Sequence, residues 1–311
     1  MKDVRTRGYT HSMTTSDNPI PICDYEGSDY QARFWDAEDR AYEDSAEGMA
    51  LKRLLPHGGD RLLEVGAGAG RNTLRYHGFR EIVLLDYSRT QLEQARARLG
   101  SDPMYRYVAA DVYRMPFAPD AFDAATMIRT LHHMLEPDAA LAGIRHALAP
   151  EADFILEFAN KLNLKAILRR FLGRQTWSPF DPTPIEFAAM NFNFHPRAVR
   201  QWLKMADFQI GRQLAVSYFR LPAVKRWVPL RLLLAMESMA QPSGGLVPLS
   251  PSVFLHAKAL GLRSRPLAAS IWRCPACRSL DVHEGSRSVA CRNCGRGWPV
   301  RDGMYDFRLD G

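Results

Sequence analysis

Four cysteines stand in two pairs, Cys274-Pro275-Ala276-Cys277 and Cys291-Arg292-Asn293-Cys294, and a fifth, Cys23, stands alone. Each C-x2-C loop can present two thiolates to one ion. Two such loops at this separation read as a tetrahedral zinc site held by Cys274, Cys277, Cys291 and Cys294. Gly295 helps the tight turn behind the second pair. Four protein ligands leave no open position, so the expected role of Zn2+ is structural. A segment with so few apolar side chains has little core of its own, and the ion can supply on the order of 10–16 kcal/mol of folding energy. Two disulfides or four buried thiols would suit a chain without a secretion signal poorly. A second constellation lies far upstream, in Leu62-Leu63-Glu64-Val65-Gly66-Ala67-Gly68-Ala69-Gly70-Arg71-Asn72-Thr73. An apolar strand ends in a carboxylate and passes into three alternating glycines, with good helix formers after them. Glycine lacks Cβ, so the chain can turn sharply and a ligand can approach the backbone. Glu64 is left at the strand's carboxyl end, where ligands of open α/β sheets sit. The third glycine comes one residue before the place that a dinucleotide fingerprint requires, which Arg71 occupies.

Further acids follow at strand ends. Glu81-Ile82-Val83-Leu84-Leu85-Asp86 reads as a buried strand closing on Asp86, and Tyr105-Arg106-Tyr107-Val108-Ala109-Ala110-Asp111 as another closing on Asp111. A fourth strand, Phe122 to Ile128, runs into Arg129-Thr130-Leu131-His132-His133. In this order and spacing the segment resembles the class I S-adenosylmethionine (SAM) methyltransferases, whose motif I has the form Glu-x-Gly-x-Gly-x-Gly, and within them the ubiquinone-biosynthesis-like, methyltransferase type 11 group. The resemblance implies a Rossmann-like sheet of seven mostly parallel strands with helices on both faces. It implies SAM as cofactor, with Asp86 on the ribose hydroxyls, since an ionised acid accepts two hydrogen bonds, and Asp111 on the adenine amino group. The cofactor-binding set it carries over is Glu64, Gly66, Ala67, Gly68, Gly70, Asp86, Tyr87, Asp111, Val112 and Arg129.

Those residues need elements to position them. The chain has 311 residues, of which 46% are hydrophobic and 24% charged, enough for one main α/β domain and an appendage. Residues 1–20 read as a polar, disordered tail. Residues 21–55 read as N-terminal cap helices, with Tyr30, Phe34, Trp35 and Tyr42 among the acids Asp36, Glu38, Asp39 and Glu43. Residues 56–262 form the catalytic domain, in which strand and helix patterns alternate as parallel βαβ units require. The fifth strand is Asp153 to Phe158, the sixth Phe208 to Tyr218, and the last, antiparallel one Val253 to Ala257. Two insertions, 161–206 and 221–249, are expected to be helical and to flank the sheet's carboxyl edge, where their apolar content suits a greasy acceptor pocket. In the first, Lys161, Lys165 and Arg169 share one helix face, and Leu164, Ile167, Leu168 and Phe171 another. Residues 262–271 link to the ribbon at 272–311. There Trp298-Pro299-Val300-Arg301-Asp302-Gly303-Met304 follows the second cysteine pair. With the knuckles it resembles the small zinc-binding family that includes the tRNA-methyltransferase activator subunit, in which a Tyr-Pro-Ile-x-Asp-Gly-Ile-Pro stretch closes the fold. Trp298 replaces the Tyr, and Tyr305 stands where the last proline would be. Members of that family stabilise methyltransferase partners.

No apolar run reaches the roughly 18 residues of a membrane helix, and no apolar segment follows the N-terminal charges as a secretory signal would need. A cytoplasmic protein is expected. The net charge of +7 leaves nucleic acid open as a partner without favouring it, and nothing points to an oligomeric state. Methyl transfer needs chiefly that donor and acceptor be held at near-attack geometry. A general base matters only where the acceptor must lose a proton, and His132 and His133 are the candidates, with His195 a third. Arg129, Glu157 and Asn160 are expected on the substrate side. The reading favoured by the resemblance is a SAM-dependent methyltransferase of a small or lipophilic metabolite. An RNA or protein methyltransferase guided by its ribbon is the first alternative, and a non-catalytic SAM-binding scaffold the second.

Overall fold

In the computed structural model the described residues are 20–28, 40–263 and 266–309. The expected tail and the cap residues Tyr30, Phe34, Trp35, Asp36, Glu38 and Asp39 lie outside them, apart from Ile20 at the tail's end. The order of elements is α1 (Ala41–Leu54), β1 (Gly59–Val65), β2 (Phe79–Asp86), α2 (Arg89–Leu99), β3 (Tyr105–Ala109), β4 (Phe122–Met127), α3 (Pro137–Ala147), β5 (Leu148–Ala159), α4 (Leu164–Phe171), β6 (Ile185–Ala188), β7 (Asn191–Asn193), α5 (Pro196–Met205), β8 (Phe208–Val216), α6 (Pro222–Trp227), α7 (Leu230–Ala240) and β9 (Ser252–Ala259), then the ribbon strands β10 (Val282–Glu284), β11 (Ser288–Cys291), β12 (Gly297–Arg301) and β13 (Met304–Asp306).

The central strands are near-continuous apolar runs because both of their faces are covered. Along β1 and β2, Leu63, Val65, Val83 and Leu85 enter one core, while Leu62, Ile82 and Leu84 enter the other. β3, β2, β1, β4 and β5 pair in parallel, then β9 and β8 add antiparallel pairings at the far edge. These are the seven strands expected. The sheet is nevertheless eleven strands wide, because all four ribbon strands continue it beyond β3. β13 lies parallel to β3, with Met304 opposite Tyr107 and Asp306 opposite Ala109, and Phe307 N donates to Ala109 O at 2.7 Å.

The ribbon also shares the domain's core. Trp272 is fully buried and packs on Phe117, Tyr305 and Phe307, with ring centroids 6.1, 4.9 and 4.8 Å apart. Its Nε1 donates to Glu284 at 2.6 Å, and Arg106 of β3 bridges Glu81 and Glu284 at 2.7 and 2.8 Å. Val289, Trp298 and Phe307 of the ribbon thus belong to the same hydrophobic cluster as Leu63 and Val108 of the main sheet.

Two local expectations change. The glycine loop does not open into an α-helix: β2 begins at Phe79, and the residues from Arg71 to Gly78 accommodate only a 3-10 turn, Thr73–Arg75. The insertion 161–206 is not helical throughout either. Between α4 and α5 it forms the hairpin β6–β7, where Phe192 turns inward and Phe187 outward.

Candidate functional site

The pairing of β1 with β2 and β4 sets Val65 opposite Leu85 and Met127, so their carboxyl ends open at one level. The glycine loop turns over that edge. Gly66 has φ +69°, and a Cβ on it would overlap Thr130 Oγ1. Thr130 Oγ1 in turn donates to the Ile128 carbonyl at 3.0 Å and lies within reach of those of Val65 and Gly66. Gly68 has φ +53°, but a Cβ there would meet only Gln91 Oε1, at 3.8 Å, and this part of the loop lines the crevice.

Asp86 closes the opposite side. Its Oδ2 accepts Gly68 N at 2.8 Å and its Oδ1 accepts Ser88 N at 3.0 Å. Burial raises its pKa against these bonds. A carboxylate has about four lone-pair sites, so each oxygen keeps capacity for a ligand hydroxyl. Glu64 is buried and accepts Thr73 Oγ1 at 2.6 Å and Tyr76 OH at 3.2 Å. Burial pushes its carboxyl up to about 7 despite both hydroxyls.

Arg71, the residue that breaks the dinucleotide spacing, anchors α1. It pairs with Asp44 and, at 2.6 Å, with Glu47, which Arg129 also holds at 2.8 Å. Glu47 is fully buried, yet Arg129 and Arg71 keep its pKa below the usual range. Breaking a buried pair of this kind by removing one partner costs about 3–5 kcal/mol. The Arg129 guanidinium is thereby occupied, and its backbone N donates to Glu157 at 2.9 Å.

Of the residues expected to hold the cofactor, Glu64, Gly66, Ala67, Gly68, Asp86, Tyr87, Val112 and Arg129 line one crevice. Gly70 instead faces Ala95 and Leu99 of α2. Asp111 is also outside the lining and caps the turn after β3, accepting Tyr113 N at 2.8 Å. His133 lines the crevice but His132 does not. The His132 ring lies 4.0 Å from that of His133, its Nδ1 is buried and unpartnered among the described residues, and burial holds its pKa well below the ordinary histidine value. His195 caps α5, accepting Arg197 N at 3.1 Å. Asn160 donates to the carbonyls of Leu162, Pro248 and Ser250, which pins the second insertion to the first. Neither of these two lines the crevice, and Glu157 accepts Arg129 N and Ser252 Oγ.

Sequence reasoning missed Tyr25, Asn72, Gln91, Thr130 and Met134 in the lining. Tyr25 matters most. His133 Nδ1 lies 3.0 Å from the Met190 carbonyl, so Nδ1 carries the proton and donates. The Nε2 lone pair then accepts Tyr25 OH at 3.2 Å. Burial lowers the His133 pKa, leaving the ring neutral with its Nε2 lone pair directed at the N-terminal segment.

The four cysteines converge as the spacing requires. Their sulfurs lie within 4.8 Å of one another, with Cys274–Cys294 at 3.7 Å and Cys277–Cys291 at 3.6 Å. These separations exceed a disulfide bond of about 2.05 Å. They match the edge of about 3.8 Å expected for a tetrahedron with Zn–S bonds near 2.3 Å, so the ligand set fits zinc.

A glycine loop over the edge of β1, an acid ending β2 and this sheet order define the class I SAM-dependent methyltransferase fold. Residues 63–156 match the family model described as a methyltransferase domain. The Penicillium expansum protein named O-methyltransferase cnsE is 29% identical over 154 residues, covering 46% of this chain and 54% of its own. The demethylmenaquinone methyltransferase of Clavibacter sepedonicus is 32% identical over 107 residues, covering 34% and 43%. The chain thus spans about half the length of these curated relatives. A solved complex between the Haloferax volcanii Trm112 methyltransferase activator and a putative methyltransferase contains a chain that superposes with a TM-score of 0.51 at 16% identity, over 76% of this chain and 96% of that one.

Proposed function

We propose that this protein transfers the methyl group of SAM to a small or lipophilic acceptor. The observation that carries the reading is the Asp86 carboxylate, fixed by Gly68 N and Ser88 N across from the glycine loop. With Val112 and Met134 in the same crevice, the site offers acceptors for two hydroxyls and an apolar wall for a flat base. When bound, SAM supplies a methyl group already activated by the sulfonium charge. The chain's own task is then to position the acceptor and take up a proton. His133 Nε2 is suited to the second part, because Met190 fixes the tautomer and burial keeps the ring unprotonated. An acceptor hydroxyl entering beside Tyr25 can deliver its proton there. Relatives named for O-methylation and for demethylmenaquinone support a hydroxyl or an activated ring carbon as the methylated position. The ribbon, by covering β3, serves as a built-in stabiliser, and zinc on its four thiolates would hold it folded.

The test is calorimetry of the full chain with SAM and S-adenosylhomocysteine, followed by methyl transfer to a panel of phenols and hydroquinones. Asp86→Ala should weaken nucleoside binding at least about tenfold, the loss of hydrogen bonds to a charged acceptor. Unchanged affinity in that variant, or no binding by the wild type, overturns the reading.

A further inference from the structure

α4 carries an apolar stripe that faces away from the protein. Its buried residue is Ala166. On the opposite side of the helix, Leu164, Leu168 and Phe171 recur at the i, i+4, i+7 spacing of one face, with exposures of 48%, 52% and 76%. Leu172 widens the stripe. Leu246 and Val247 extend it, being exposed in the segment that Leu249 O ties to Leu164 N at 2.8 Å. Lys165 and Arg169 edge the stripe on one side and Arg170 on the other, and none of them is in an ion pair among the described residues. A soluble helix normally turns such a stripe inward. Outward apolar residues between cations are the pattern of a helix lying in a bilayer interface.

The geometry points to α4 and the 246–247 segment as a docking surface for an anionic lipid bilayer. Charge decides the occupant. A second copy docked face to face would set Lys165, Arg169 and Arg170 against themselves, whereas anionic headgroups neutralise them while the acyl boundary takes Leu168 and Phe171. No helix among the described residues is long and apolar enough to cross a membrane, so the contact is at the surface. α4 follows β5 at the sheet's carboxyl edge, the side on which the crevice opens, and docking there brings that edge to the bilayer. The surface extends the lipophilic-acceptor reading but is argued from α4 independently of it.

The experiment is co-sedimentation of the full chain with vesicles of phosphatidylcholine alone or mixed equally with phosphatidylglycerol. The wild type should bind the mixed vesicles, weaken as salt rises, and leave phosphatidylcholine largely unbound. Leu168→Asp with Phe171→Asp should lose at least about tenfold in partitioning, while S-adenosylhomocysteine binding, measured by calorimetry, stays unchanged and reports both the fold and the cofactor reading separately. Leu262→Asp, at a still more exposed leucine outside the stripe, should bind like the wild type. Absence of wild-type binding, equal binding by the double variant, or loss of binding in Leu262→Asp overturns the proposal. So does a wild-type dimer in scattering measurements that the double variant splits, because a second copy would then own the stripe.

Discussion

Replacing Glu64 with glutamine separates the cost of burying its charge from its other contacts. The folded carboxyl titrates at about 7 against 4.5 when solvated, so the folded state holds the proton more tightly than the unfolded one. The resulting stability is fully present below the unfolded value and is lost as pH rises through about 7. At 1.36 kcal/mol per unit, the penalty grows from about 1 kcal/mol at about pH 5 to about 3 kcal/mol at about pH 8. Glutamine keeps an acceptor for Thr73 and a polar partner for Tyr76 but has no charge to bury. Urea unfolding of both proteins across this range should show the wild type losing about 2 kcal/mol relative to Glu64→Gln. Calorimetry near pH 7 in buffers of different ionisation heat should also show SAM binding releasing a proton from the wild type alone, since a cation beside Glu64 favours its ionised form. Parallel stability curves for the two proteins would refute the account of Glu64 as a buried acid under strain.

Gly66→Ala should destabilise by about 2–4 kcal/mol through its positive φ and the clash with Thr130, whereas Gly68→Ala should cost only the backbone term of about 1–2 kcal/mol; denaturant melts compare the two. Metal analysis should find about one zinc per chain, and chelation or Cys291→Ser should lower the melting temperature and speed hydrogen exchange at both β13 and β3. His133→Ala should reduce kcat by about a hundredfold while sparing cofactor affinity. The rate should fall as pH drops through the lowered His133 pKa, and Tyr25→Phe should move that fall to higher pH, since Tyr25 OH supports the neutral ring.

Much of the fold was legible because its signals are local. The run from Leu62 to Gly70 contains strand, acid and turn in one short segment, and each cysteine pair is a complete half-site. The strands that follow are apolar runs buried on both faces, which need no distant partner to be recognised. What stayed hidden depends on contacts across long separations. Asp111 looks like the other strand-end acids, but the turn after β3 gives it a backbone amide to cap. Tyr25 reaches His133 over more than a hundred residues, and no local pattern marks it. Thr130 fills the space above Gly66 only once β1 and β4 lie side by side. The hairpin β6–β7 was missed because Phe187 and Phe192 lie in a short, mixed segment without clear alternation, and its strands form only against the neighbouring elements.

The parallel pairing of β13 with β3 has a consequence for assembly. A separate subunit that sought this flank by strand addition would have to evict a segment tethered to the same polypeptide, present at an effective concentration of the order of millimolar. Recruitment at that flank is therefore settled within each molecule, and dilution cannot undo it. With zinc on the four thiolates as proposed, loss of the ion would be the change that unseals this border of the sheet.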